Sequence, residues 1–167
     1  MKISVIIPCH NAGPWIAEAL ESVAGQTYQP HEVIVVDDAS TDDSVERVQK
    51  SDVDVRLLHT RLGNAAAVRN HGARWAKAEW LAFLDSDDVW YSDHLAVAAR
   101  LLGAGTDCAF LSHHDAIDEV SGAKYSRPAV AIEDGSTGLS DREFYRVFTG
   151  PNCGSSRIRS AAALWSM

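Results

Sequence analysis

The sequence predicts an α/β fold built on a mostly parallel sheet flanked by helices, and three observations carry that expectation. Short β-branched runs alternate with Ala- and Leu-rich segments of helical period, strand then helix, as far as Leu111. Two of those runs end in clustered acids, Asp37-Asp38 and Asp85-Ser86-Asp87-Asp88. In an open α/β sheet, ligands collect outside the carboxyl ends of the strands, where these clusters would sit. The chain has 167 residues, 46% of them hydrophobic, enough for one domain with a real core.

Each element has its own reason. Ile3 to Ile7 is a β-branched run closed by Pro8 and reads as a buried first strand. Pro14 suits the first turn of a helix, along which Trp15, Ile16, Ala19, Leu20 and Val23 recur at helical spacing; Gly25 and Pro30 punctuate its end. Val33 to Val36 is a second buried strand. Ser40-Thr41-Asp42-Asp43 then offers a hydroxyl and a carboxylate to cap a helix running to about Lys50. Val53 to Leu58 reads as a third strand, Gly63 to Lys77 as an Ala-rich helix, and Trp80 to Leu84 as the fourth strand. Asp93 to Leu102 is another Ala/Leu helix, and Cys108 to Leu111 a fifth strand.

Beyond His113 the rhythm changes. Asp115 to Tyr125 reads as a hairpin turning at Ser121-Gly122, and Asp141 to Phe148 as a short helix. Ser155 to Met167 fits a strand or a helix equally. The expected division is therefore a first part over 1–115 and a second over 116–167, the latter truncated or incomplete.

Composition excludes several classes. A formal net charge of −8 argues against a nucleic-acid surface. No apolar run reaches membrane-spanning length, which leaves peripheral membrane association open. The three cysteines, Cys9, Cys108 and Cys153, have no paired spacing and read as free thiols of a cytoplasmic protein. Neither G-x-G-x-x-G nor G-x-x-x-x-G-K-[ST] occurs, which argues against dinucleotide and P-loop enzymes.

The acids themselves suggest chemistry. Carboxylates packed as closely as Asp85, Asp87 and Asp88 repel, and a hard divalent cation, Mg²⁺ or Mn²⁺, relieves that repulsion. A carboxylate at the end of a neighbouring strand, such as Asp37 or Asp38, can accept from a nucleobase imide or ribose hydroxyls. A metal could bridge diphosphate oxygens beside it. His113, His114 and Asp115 read as an ordinary strand end, because their spacing lacks a third metal ligand.

Four segments, Ser4-Val5-Ile6-Ile7-Pro8-Cys9-His10-Asn11, Val35-Val36-Asp37-Asp38-Ala39-Ser40-Thr41-Asp42, Arg69-Asn70-His71-Gly72 and Phe83-Leu84-Asp85-Ser86-Asp87-Asp88, resemble the successive motifs of glycosyltransferase family 2 in order and approximate spacing. The resemblance implies a GT-A fold, a nucleotide-diphosphate sugar donor (a UDP-sugar favoured), and inverting transfer to a glycan, lipid or small-molecule acceptor. It also assigns residues. Pro8, His10 and Asn11 would lie against base and ribose, with His10 in place of the more usual Tyr. Asp38, with Asp37 beside it, would read the base, and Arg69 and Asn70 would lie near base and diphosphate. Asp87 would bind the metal directly, while Asp85 would touch ribose or the metal through water.

The chain departs from the family around Arg61-Leu62-Gly63-Asn64, where Arg61 stands near the place of an Asn and the loop looks one residue longer. Inverting transfer also needs a carboxylate base. The family's Glu-Asp pair is expected beyond Met167, and Glu133, Asp134 and Asp141 lack its context. A sugar-nucleotide binding module of a larger protein is the alternative, and a Glu-Asp pair soon after Met167 would favour the enzyme. A nucleotidyltransferase ranks third, because Pro8 to Pro14 has no Lys or Arg and a single Gly.

Overall fold

The computed structural model of the protein describes residues 1–103 and the strands at 109–111, 114–118, 124–127, 156–159 and 163–166. Four strands, β1 (Ile3–Cys9), β2 (Glu32–Asp38), β3 (Val55–Thr60) and β4 (Trp80–Phe83), lie parallel in the order β3-β2-β1-β4. Helices α1 (Ile16–Ala24), α2 (Ser44–Lys50), α3 (Ala65–Trp75) and α4 (His94–Gly103) alternate with them. β3 begins two residues later than its alternation predicts and runs on to Thr60, where His59 and Thr60 pair with Asp37 and Asp38.

The fifth predicted strand, β5 (Ala109–Leu111), does not pair with β4. β9 (Ala163–Ser166) lies between them, antiparallel to both, so the segment that fitted strand or helix equally supplies strands. The division expected near residue 115 lies within the strand His114–Asp118, and a strand from beyond it returns to the main sheet. β6 (His114–Asp118) and β7 (Lys124–Arg127) form the expected hairpin arms, with β8 (Ser156–Arg159) on the other side of β6. The turn at Ser121-Gly122 and the helix expected at Asp141 to Phe148 lie outside the described residues, as do Cys108 and Cys153.

Alternation along β1 and β2 divides the core between the two faces of the sheet. Val5, Ile7, Val33 and Val35 pack with Ile16, Leu20 and Val23 of α1, Val48 of α2, and Leu95 and Ala98 of α4. Ile6, Ile34 and Val36 face Val68 of α3 on the other side. The chain thus changes face between α2 and α3, and β1 is flanked on one side by β2 and on the other by β4. Such a switch point opens a crevice at the carboxyl ends of the strands.

Polar contacts fix the opposite end and the flanks. At the amino end of β1, the buried Ser4 donates to Glu32 Oε1 at 2.6 Å and accepts from Ala78 N at 3.1 Å. Burial would raise the Glu32 pKa, but the Ser4 hydroxyl and the Lys77 amide donate to the carboxylate and hold it below its usual range. The buried Gln26 donates to Ser22 O and Tyr91 O and accepts from Leu95 N, tying α1 to the start of α4.

Candidate functional site

A cavity of about 660 Å³ opens where β1, β2 and β4 end, lined among others by Pro8, His10, Trp15, Asp38, Arg61, Arg69, Asp85 and Asp87. The loops after β1 and β2 are laced together beneath it. His10 Nδ1 donates to Asp38 O at 2.6 Å, so the other ring nitrogen, Nε2, is left to accept the weak contact from Asn11 Nδ2 at 3.4 Å. Asn11 Oδ1 accepts from Thr41 N at 2.8 Å, and Asn11 N donates to Ser40 Oγ. Asn11 and Ala39 both hold left-handed backbone, at φ 50° and 57°. Asn tolerates that region, whereas for Ala it costs about 1 kcal/mol or more. The lacing maintains it.

Asp42 does more than cap its own helix. Its Oδ1 accepts from Ser44 N and Ser44 Oγ, while Oδ2 accepts from Gly13 N at 2.9 Å, and Ser44 Oγ in turn accepts from Ala12 N. Burial would raise the Asp42 pKa, but the Ser44 hydroxyl and the Gly13 and Ser44 amides outweigh it and hold the carboxyl below its usual range. Asp42 thus serves two loops at once, whereas Asp43, at the cap position, makes no side-chain cap bond and pairs with Arg47 instead.

Asp38 is buried, and its two oxygens accept from the backbone amides of Leu62 and Gly63, Oδ2 at 2.8 Å from Gly63 N. Gly63 has φ 62°, a conformation that favours glycine. The departure at Arg61 to Asn64 is therefore a turn clasped by Asp38, and it presents Arg61 to the cavity. Asn64 then caps α3, accepting from Ala66 N and Ala67 N. Arg69, one turn along α3, donates through Nη2 to Asp85 Oδ1. Asp85 to Asp88 form a turn in which Asp88 N donates to Asp85 O at 3.0 Å, and Asp87 is exposed at its tip.

Not every expected residue reaches the cavity. Pro8, His10, Asp38, Arg69, Asp85 and Asp87 line it. Asn11 holds the loop below, and Asn70 is exposed on α3 away from the lining. Asp37 is 4% exposed beneath the floor, its Oδ2 3.4 Å from His59 Nδ1. Trp15, Thr41, Arg61 and Asn64 also line the cavity and carry no site signal in the sequence; Trp15 reads there only as part of an apolar helix face. Cys9 also lines the cavity, and burial pushes its thiol up to about 11, leaving it protonated and unreactive at neutral pH. Behind the acidic turn, Trp90 stacks on His94 with ring centroids 4.7 Å apart.

Among the described residues no three His, Cys, Asp or Glu side chains converge as a closed metal cage. Asp85 and Asp87 nevertheless share the cavity rim. Two carboxylates on an open rim suit Mg²⁺ or Mn²⁺, which complete their oxygen shells with phosphates and water.

The strand order and the cavity at the switch point define a GT-A type fold. A sequence profile of glycosyl transferase family 2 matches residues 4–164, and the chain belongs to that family. An uncharacterized glycosyltransferase of Rickettsia felis is 41% identical over 103 residues, covering 60% of this chain and 17% of the relative. TarS of S. aureus, solved in complex with UDP, is 35% identical with a TM-score of 0.58, over 65% of this chain and 34% of that one. Mannosyltransferase PcManGT from Pyrobaculum calidifontis, solved with GDP-Man and Mn²⁺, is 32% identical with a TM-score of 0.59, again over 65% and 34%. The chain thus spans about a third or less of these proteins. No helix among the described residues is long and apolar enough to cross a membrane.

Proposed function

We propose that this chain forms the donor-binding part of an inverting, metal-assisted glycosyltransferase that uses a nucleotide-diphosphate sugar, with a UDP-sugar favoured. One observation carries the reading: Asp38 at the end of β2, Arg69 on α3, and Asp85 and Asp87 in the turn after β4 open into a single cavity of about 660 Å³. That volume is in the range of small-ligand sites. The family membership and the UDP held by TarS support it.

In this reading His10 and Pro8 flank the base, and Asp38 accepts from its imide N–H. A carboxylate has about four acceptor sites, so the two backbone amides leave room for that bond. Arg61 and Arg69 bring positive charge toward the diphosphate. Asp87 and Asp85 would hold Mn²⁺ or Mg²⁺, which as a Lewis acid stabilises the departing diphosphate. Residues 1–115 carry the donor site, and 116–167 belong to the acceptor side, where a glycan, lipid or small molecule would bind. The buried free thiol of Cys9 fits a cytoplasmic setting.

The test is a thermal-shift panel of UDP, GDP, dTDP, CDP and NAD, each with and without Mn²⁺. A ligand at about a hundred times its dissociation constant adds roughly 2.7 kcal/mol, a shift of several degrees for a chain of this size. The expected result is the largest shift for UDP, dependent on Mn²⁺. Equal shifts for all five compounds, or none, would contradict the reading.

A further inference from the structure

We propose that Arg69 couples the metal to the diphosphate: it holds Asp85 until a diphosphate takes over its guanidinium, and only then is Asp85 released to a divalent cation. This rests on the function proposed above. It starts from one contact, Arg69 Nη2 donating to Asp85 Oδ1, with the two side chains 29% and 47% exposed.

Both partners sit on fixed backbone. α3 carries Arg69 between the Asn64 cap and Gly72, where the helix lies against Ile6 and Val36. Asp85 follows Leu84, whose amide donates to Ile6 O at 3.1 Å, and its own carbonyl accepts from Asp88 N. The pair is therefore held together by two rigid elements rather than by chance encounter of long side chains.

A cation approaching Asp85 in this state meets a carboxylate already shared with a guanidinium, and Arg69 repels it across a few ångströms of partly screened medium. Diphosphate oxygens change the balance. They accept from a guanidinium in the same bidentate manner as a carboxylate and carry more charge, so they compete for Arg69. Once Arg69 turns to the diphosphate, Asp85 is returned to the rim beside Asp87. Coupling of this kind is reciprocal, so each ligand strengthens the other by the same factor. Positioning by Arg69 thus adds to whatever direct bond the metal makes with the phosphates.

The experiment measures Mn²⁺ binding by loss of the free-ion EPR signal, with and without UDP, in the wild type and in Arg69→Gln, Arg69→Lys and Arg61→Gln. In Arg69→Gln, Mn²⁺ alone is expected to bind about fivefold tighter or more, and the enhancement by UDP to shrink. Arg69→Lys keeps a cation beside Asp85 and should stay close to wild type. Arg61→Gln removes a cavity charge that is not paired with Asp85; it should weaken UDP binding but change the affinity for Mn²⁺ alone by less than about twofold. Should Arg69→Gln fail to fold, Arg69→Met supplies the neutral variant.

Unchanged or weaker Mn²⁺ binding in the neutral variant, with wild type still binding UDP, overturns the coupling and leaves the donor site standing. An equal gain in Arg61→Gln also overturns it, by reducing the effect to net charge. Failure of the wild type to bind UDP under any condition overturns the functional reading and this inference together.

Discussion

Gly72 of α3 packs against Ile6 of β1 so closely that a methyl group on Gly72 would fall 2.6 Å from Ile6 Cγ2, with Val36 Cγ2 at 3.0 Å. This contact sets how near α3 lies to the sheet. It also sets where Arg69, one turn earlier on the same helix, meets Asp85. A glycine in a helix interior costs about 1 kcal/mol relative to alanine, so its presence here is explained by the approach rather than by propensity.

Gly72→Ala should therefore destabilise despite the better helix former. Overpacking typically costs 1–3 kcal/mol, roughly, against about 1 kcal/mol of propensity gain. The urea midpoint is expected to fall, and UDP affinity to fall with it as Arg69 is displaced. A raised midpoint would show that the helix moves away freely.

Asp38→Asn isolates the clasp on the 61–63 turn. The two backbone amides bond different carboxylate oxygens, and Asn replaces one of these by an NH₂ donor, so in this geometry either the Leu62 or the Gly63 amide faces a donor and loses its bond. A loss of about 1–3 kcal/mol in stability is expected. UDP affinity should fall about tenfold or more while Mn²⁺ affinity changes little, measurable by calorimetry. A variant that binds UDP normally would remove Asp38 from base recognition.

Much of the fold is legible because its causes are local. Ile3 to Ile7 and Val33 to Val36 are β-branched runs buried on both faces, and the Ala-rich run after Asn64 can hardly be anything but a helix. What stays hidden depends on partners far along the chain. Asp38 clasps amides 24 and 25 residues away, and Asn11 and Thr41 are joined across 30. No local pattern encodes such bonds, so Asp38 is legible as a candidate base-reading acid but not as the clasp of the 61–63 turn, and Arg61 only as a departure. β9 entering the sheet antiparallel between β4 and β5 is likewise a choice of partner, not of propensity. Trp15 sits where the apolar face of α1 meets the cavity, and spacing alone reports only the former.

The buried His94 predicts a pH dependence. Burial pushes its pKa down to about 4, from an ordinary 6.5, against the opposing pull of Asp93. Between those values the unfolded chain takes up a proton that the folded one refuses, so stability is full above pH 6.5 and falls toward pH 4. The loss is on the order of 3 kcal/mol and levels off below the folded pKa. His94→Phe keeps a ring against Trp90 and removes the proton. Wild-type and variant urea midpoints measured at pH 7 and at pH 5 should therefore diverge, the wild type losing more. Parallel losses would show that other groups govern the acid limb.

The most direct test of the donor-site account is a calorimetric titration of UDP into the protein with Mn²⁺ present, repeated with EDTA and repeated again in Asp87→Ala. The account predicts saturable binding with Mn²⁺, and binding weakened by about tenfold or more when either the metal or the Asp87 carboxylate is removed. Equal affinity in all three titrations would separate nucleotide binding from the acidic turn, and contradict the metal-assisted site.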